Sequence, residues 1–190
     1  MKKIKHIILD TSIFVNPDSR HFFGKTTDNA LDFFLDKLHQ KQEINCYMPP
    51  SIWEELSNFL KKEPEAKKSI LIKKQPPSSY QTSVPALMVY EFIEEVRARI
   101  NKGLRIAEKY TRKGTKASSD QEQETIKSLR VEFRTALREG IIDSKEDFDL
   151  ILLAQELGAC IATSDNGLVK WAQKLGIACL TAKELKGIID

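Results

Sequence analysis

"GIIDSKEDFDLILLAQELGACIATSDNG", residues 140–167, is the stretch on which the fold turns. Its centre, DFDLILLAQEL, keeps apolar residues at helical spacing and stops at Gly158, where a helix end needs a left-handed residue. ACIAT follows, a short apolar run suited to a strand buried on both faces. Helix, buried strand, then helix again is the repeating unit of a parallel sheet covered on both sides. The stretch is also acidic in an unexpected place. Asp143, Glu146, Asp147 and Asp149 crowd the start of the helix, and Asp165 stands where the strand ends.

The same alternation extends outward in both directions. Residues 4–9 read as a first strand that ends at Asp10. A helical period runs from about Asp28 to Gln40, with Leu31, Phe34, Leu35 and Leu38 on one face. Residues 44–48 form a second strand, and Ser51 is expected to cap a helix that turns Ile52, Leu56, Phe59 and Leu60 inward. Residues 61–83 are rich in Lys, Pro and Ser, with QPPSSYQTS an irregular connection. Beyond Gly140 come helix 144–157, strand 159–163, helix 166–175 and strand 177–180, with Gly176 a second left-handed helix stop. The expected class is α/β, a parallel sheet with helices on both faces.

Between these halves two long helices interrupt the pattern. The first carries Val89, Phe92, Ile93, Val96, Ile100, Leu104 and Ala107 as one stripe. The second opens with Ser119-x-x-Glu122 and carries Ile126, Leu129, Phe133 and Leu137. TRKGTKASS, with Gly114, reads as the turn of an antiparallel hairpin. One thin hairpin leaves apolar surface over, so it must pack on the α/β body or on another subunit. Residues 97–138 hold 12 Lys/Arg against 5 acids, a net charge of +7, which leaves −4 for the rest of a chain whose total is +3. A basic arm beside an acidic body suits a polyanionic partner, although a solvated helix face would look the same.

The 41% apolar and 30% charged fractions are those of a soluble globular protein. No apolar run approaches the roughly 18 residues of a membrane helix, so no membrane partner is expected. Asp10 interrupts the apolar N-terminal stretch and no small-residue cleavage site follows, which places the protein in the cytoplasm. Cys46, Cys160 and Cys179 fall in strands without ligand spacing and read as reduced core thiols.

Each acid has an ordinary explanation on its own. Asp143 or Ser144 caps the helix, Ser144-x-x-Asp147 resembles a capping box, and first-turn acids gain about 0.3–1 kcal/mol from the helix dipole. Asp165 would cap the helix starting near Asn166. Asp10 is different, because a carboxylate closing a doubly buried strand needs partners to offset its desolvation. Together the acids say more. Asp143 and Asp147, four apart, share a side of the helix N-terminus, while Asp10 and Asp165 end two strands. Strand ends are where such sheets form their sites. Four carboxylates in one pocket repel one another unless a hard cation such as Mg²⁺ or Mn²⁺ joins them, and the lack of His or Cys disfavours zinc. Glu55 is a candidate fifth member; Asp149 points elsewhere, as a supporting or surface acid, and Glu54 faces solvent.

In chain order, LDTS at Asp10, the helix acid Glu55, DxxxD at Asp143 and Asp147, and TSD at Asp165 resemble the PIN-domain nucleases over residues 1–60 and 140–190. Those domains hold divalent metal in an acidic pocket and hydrolyse RNA. The inserted hairpin followed by REGIIDSKEDFDLILLAQELGA is similar to the minimal protein-only RNase P group, the homologs of Aquifex RNase P (HARP), also labelled RNA ligase partner proteins. The resemblance implies a PIN-like catalytic domain over 1–80 and 140–190 with an inserted basic hairpin over 84–138. It implies removal of the 5′ leader of precursor tRNA with Mg²⁺, Mn²⁺ being a substitute, and with no RNA subunit. It places the metal-site aspartates on Asp10, Asp143, Asp147 and Asp165, and implies assembly into a large homo-oligomer through the hairpins.

On this reading Arg105, Lys109, Arg112, Lys113 and Lys116 near the hairpin tip grip tRNA phosphates. Thr11, Ser12, Thr163 and Ser164 orient carboxylates or water, or simply serve the strand-end turns that favour such residues. Trp53 and Trp171 read as core, whereas Phe22, Phe23 and His21 stand open between packing and RNA contact. Two other readings fit the acids: a toxin-type PIN ribonuclease acting on other RNAs, and a non-catalytic RNA-binding adaptor for RNA ligation. A haloacid-dehalogenase-type phosphatase also begins with a strand aspartate, but needs a second acid where Ser12 stands.

Overall fold

The strands of this chain are short and apolar because both faces of each central strand are covered. In the computed structural model, which describes residues 5–41, 43–62, 64–115, 121–138 and 144–190, they are β1 (His6–Leu9), β2 (Asn45–Met48), β3 (Ile72–Lys74), β4 (Cys160–Ala162) and β5 (Cys179–Leu180). All pair in parallel, in the order β3-β2-β1-β4-β5, with Ile7 aligned to Cys46 on one side and to Cys160 on the other. Ile7, Ile8 and Leu9 lose all contact with solvent. The chain winds outward from β1 through β2 to β3, then crosses to the far side of β1 for β4 and β5. The reversal falls between β1 and β4, and the crevice beyond their carboxyl ends is where an open parallel sheet builds its site.

Helices cover the sheet where sequence periodicity placed them. Among them α3 (Thr27–His39) buries Ala30, Leu31, Phe34, Leu35 and Leu38, and is capped by the Thr26 hydroxyl, which accepts from the Asn29 amide at 3.3 Å. Two short helices precede it, α1 (Ser12–Val15) and α2 (Pro17–Arg20). Phe14 and Phe23 pack with Phe34 in a ring cluster, so Phe23 is core, while His21 stacks on Phe22. The remaining helices of the body are α4 (Pro50–Ser57), α5 (Ala66–Ser69), α8 (Lys145–Leu157), α9 (Asn166–Lys174) and α10 (Ala182–Ile189). Ser144 caps α8 by accepting from the Asp147 amide at 3.0 Å, and Gly158 ends it at φ 57°. Gly176 follows α9 at φ 71°.

Three details depart from expectation. Ser51 lies inside α4 rather than capping it, because Pro50, with no amide hydrogen to satisfy, takes the first helical position. Helix α4 stops at Ser57, so Phe59 leaves the buried face that Ile52 and Leu56 define and stands half exposed. Within the Lys-rich 61–83 segment the edge strand β3 was not anticipated; only Ile72 of it is buried, and Lys73 and Lys74 follow it.

Residues 83–141 form a separate compact unit. It holds α6 (Ala86–Gly114) and α7 (Glu122–Arg138). Helix α6 continues through Gly114, placed in the turn by sequence, while the capping serine Ser119 lies outside the described residues. The two helices meet on a different face of α6 from the one its apolar stripe marks. Ile106 and Tyr110 pack with Ala136, Leu129 and Phe133. Gly103 makes room for this, since a Cβ there would sit 2.7 Å from the Phe133 ring. The stripe residues Val89, Phe92, Ile93, Ile100 and Leu104 remain exposed. No helix among the described residues is long and apolar enough to cross a membrane.

Candidate active site

A cavity of about 750 Å³ opens at the switch point. Among the described residues six carboxylates line it: Asp10, Glu54, Glu55, Glu146, Asp147 and Asp165. No basic side chain is among the described residues that line it. Each acid arrives there through local structure. Asp10 continues the β1 ladder by donating its amide to the Ala162 carbonyl at 3.0 Å. Asp165 follows β4 and caps α9, its Oδ1 accepting from the amides of Gly167 and Leu168 at 2.5 and 2.9 Å. That leaves its other oxygen outside the cap. Glu146 and Asp147 occupy the first turn of α8, and Glu54 and Glu55 project from α4.

Asp10 is the buried member, 6% exposed. Its Oδ2 accepts from the Ser12 hydroxyl and, at 2.6 Å, from the Thr163 hydroxyl. Burial nonetheless pushes its carboxyl above the ordinary value and Asp165 adds to that, while the hydrogen bonds from Ser12 and Thr163 pull the other way. Both hydroxyls donate to Asp10 and accept from behind. Ser12 Oγ takes the Ser164 amide at 2.9 Å, and Thr163 Oγ1 takes the Asp165 amide at 2.9 Å. The two strand-end loops are thereby tied to each other through one carboxylate. Ser164 Oγ donates to the Ser12 carbonyl at 3.3 Å, Asn16 Nδ2 reaches Ser164 Oγ at 3.4 Å, and Thr11 Oγ1 donates to Glu55 at 3.0 Å. The four hydroxyl residues thus hold loops and acids in place.

Of the acids anticipated from sequence, Asp10, Asp147, Asp165 and Glu55 share the cavity. Asp143 lies outside the described residues. Asp149 is not part of the described wall; partial burial raises its carboxyl pKa, with Lys145 opposing the rise. Glu54, assigned to solvent by sequence reasoning, is exposed and also lines the cavity, whereas Phe59, expected to face the core, stands half exposed on the same wall. Sequence reasoning also gave no role there to Asn16, whose position just past α1 was the only signal. Donors in the wall are carboxylate, hydroxyl and amide oxygens, a set that fits a hard divalent cation. Among the described residues no three carboxylates, histidines or cysteines already converge as a metal cluster.

The basic residues of the hairpin divide into two kinds. Arg105, Arg112 and Lys113 are exposed on α6. Lys109 is engaged: its ammonium lies 2.8 Å from both Glu132 oxygens, and the Tyr110 hydroxyl donates to Glu132 at 2.9 Å. The contact with Glu132 raises the Lys109 pKa and lowers that of Glu132. Lys116 lies outside the described residues.

Comparison with known proteins identifies the family of the chain. The family model of PINc-domain ribonucleases matches residues 6–190. An RNA-free ribonuclease P of Pyrococcus furiosus is 46% identical over 186 residues, spanning 96% of this chain and 92% of the relative. One from Thermodesulfovibrio yellowstonii is 42% identical over 189 residues, spanning 99% and 95%, and one from Thermococcus kodakarensis is 45% identical over 188, spanning 96% and 93%.

Proposed function

The chain belongs to the RNA-free ribonuclease P family of PINc-domain ribonucleases, and on that premise we propose which of its residues carry the reaction. It is an endoribonuclease that removes the 5′ leader of precursor tRNA, and it works without an RNA subunit. The cofactor class of the fold is a divalent cation; Asp10, Asp147 and Asp165, with Asp143, would hold it, Glu55 is the neighbouring acid, and Mg²⁺ is the ion, with Mn²⁺ its substitute. When bound, the cation supplies charge neutralisation at the scissile phosphodiester and acidifies water for attack. The observation that carries this assignment is the burial of Asp10 in a cavity shared with Asp147 and Asp165 and lacking any described basic side chain.

The chain's own residues supply orientation. The Ser12 and Thr163 hydroxyls fix the Asp10 carboxylate, and the α9 cap fixes Asp165, so neither has to reorganise as charge builds at phosphorus. Hydrolysis leaves a 5′-phosphate on the tRNA and a 3′-hydroxyl on the leader. Arg105, Arg112 and Lys113 would bind tRNA phosphates, reading shape rather than sequence. The exposed stripe of α6 would be covered by further copies of the chain in a homo-oligomer. The buried, protonated thiols of Cys46 and Cys160 suit a reducing cytoplasm, where we place the protein. The test is cleavage of 5′-labelled precursor tRNA with Mg²⁺, beside Asp165→Asn and a chelator control. One cut at the mature 5′ end, lost in both controls, is expected. Scattered cuts would favour the toxin-type reading, and binding without cleavage the adaptor.

A further inference from the structure

An exposed aromatic ring stands on the wall of the acidic cavity. Phe59 lines that cavity and is 50% exposed. Its surroundings there are carboxylates, hydroxyls and amides, with Val15 the other apolar side chain among the described lining residues. The remaining strongly exposed apolar residues described in the α/β body, Ile70 and Tyr80, do not line the described cavity. Phe14, Phe23 and Phe34, by contrast, are core residues of the same body.

The position of Phe59 is fixed rather than loose. Ile52 and Leu56 anchor α4 in the core, and the Phe59 amide donates to the Leu56 carbonyl at 3.0 Å, in the tight turn that ends the helix. The Leu60 amide repeats this to Ser57 at 3.1 Å. The hydrogen bond from Thr11 to Glu55 ties the same helix to the loop that carries Asp10. A half-exposed phenylalanine costs hydration without burying its area, and nothing in the described packing requires a ring there. What the site does require is a hold on single-stranded RNA.

We infer that Phe59 stacks on the leader nucleobase immediately 5′ of the scissile phosphate. This rests on the reading of the cavity as the site of leader removal. The choice of base follows from the substrate. The nucleotide 3′ of the cut begins the acceptor stem, where pairing and stacking cover its faces. The nucleotide 5′ of the cut is single-stranded and offers a free π-face, which an aromatic side chain takes without regard to sequence. Phe59 is therefore a positioning residue that keeps the leader in line over the carboxylates.

The experiment is single-turnover cleavage of precursor tRNA by wild type, Phe59→Ala, Phe59→Leu and Phe59→Trp. Each protein is assayed on an ordinary leader and on one with an abasic nucleotide next to the cut. Phe59→Ala and Phe59→Leu should lose roughly 5- to 150-fold in kcat/KM, the range for one base–aromatic stack, while Phe59→Trp stays near wild type. The abasic leader should cost wild type the same factor and Phe59→Ala nothing further. In chelator, 2-aminopurine at that leader position should be quenched on binding wild type and not on binding Phe59→Ala. Full activity in Phe59→Ala or Phe59→Leu, or an abasic penalty undiminished in Phe59→Ala, overturns the inference while leaving the nuclease reading intact. A wild type that makes no cut at the mature 5′ end defeats the nuclease reading instead, and the fluorescence readout then decides the stacking by itself.

Discussion

At the scale of single residues the site is built around one awkward charge. Asp10 is buried, hydrogen-bonded by two hydroxyls, and still raised in pKa by desolvation. For a group raised on folding, the stabilisation it brings is complete below its unfolded pKa and is lost as pH rises through the folded one. Without metal, Asp10 therefore weakens the fold near neutrality. Asp10→Asn should melt higher than wild type at pH 7 in chelator, and the gap should shrink toward pH 4. Thermal melts of the two proteins across that range measure it, and a gap that does not change with pH would contradict the burial argument. Asp10 and Asp165 were legible in sequence because each ends an apolar strand, where position and exposure follow from the period alone. Phe59 was misjudged for the opposite reason: its direction depends on where α4 stops. The helix ends at Ser57, with Asn58 next and no glycine or proline beside it to announce the stop.

At the scale of elements, the α/β body was readable because alternation, the Ser144 cap and left-handed glycines agreed, the expected Ser51 cap being the exception. Ser144, Gly158 and Gly176 sit where those signals put them. The edge strand β3 escaped because one buried isoleucine followed by two lysines gives a three-residue strand no period. The hairpin misled more instructively. Its most regular apolar stripe stays exposed, while α6 meets α7 through Gly103, Ile106 and Tyr110. A glycine that admits a neighbouring ring contributes nothing to a hydrophobic pattern, so the true contact face was invisible to periodicity. Gly103→Leu should force Phe133 aside and destabilise the hairpin by about 1–3 kcal/mol, and Phe133→Ala in the same chain should restore part of that. Denaturant melts of the single and double variants would show it. Equal stability in Gly103→Leu and wild type would mean that the close approach does not exist in solution.

At the scale of the whole molecule, charge is segregated: residues 97–138 are basic, the cavity wall acidic. Binding of tRNA should weaken steeply with salt, and Arg112→Ala should lower the slope of log affinity against log salt by about one unit. Unchanged slope and affinity would remove the hairpin tip from the interface. Ile100 and Leu104, 64% and 57% exposed, offer the apolar area that further copies would cover. Changing both to Glu should lower the mass seen by light scattering, and an unaltered mass would clear this stripe of any part in assembly. The order of acids along the chain, more than any one of them, carried the resemblance to PIN nucleases, and full-length relatives now set aside the toxin and adaptor readings. The central claim is that Asp10, Asp147 and Asp165 form the site of a divalent ion. Its most direct test is a Mn²⁺ titration followed by electron paramagnetic resonance, on wild type and on Asp10→Asn and Asp165→Asn. Saturable binding by wild type, lost or strongly weakened in both variants, is the predicted result. Equal binding by all three proteins would place the ion elsewhere and contradict the account.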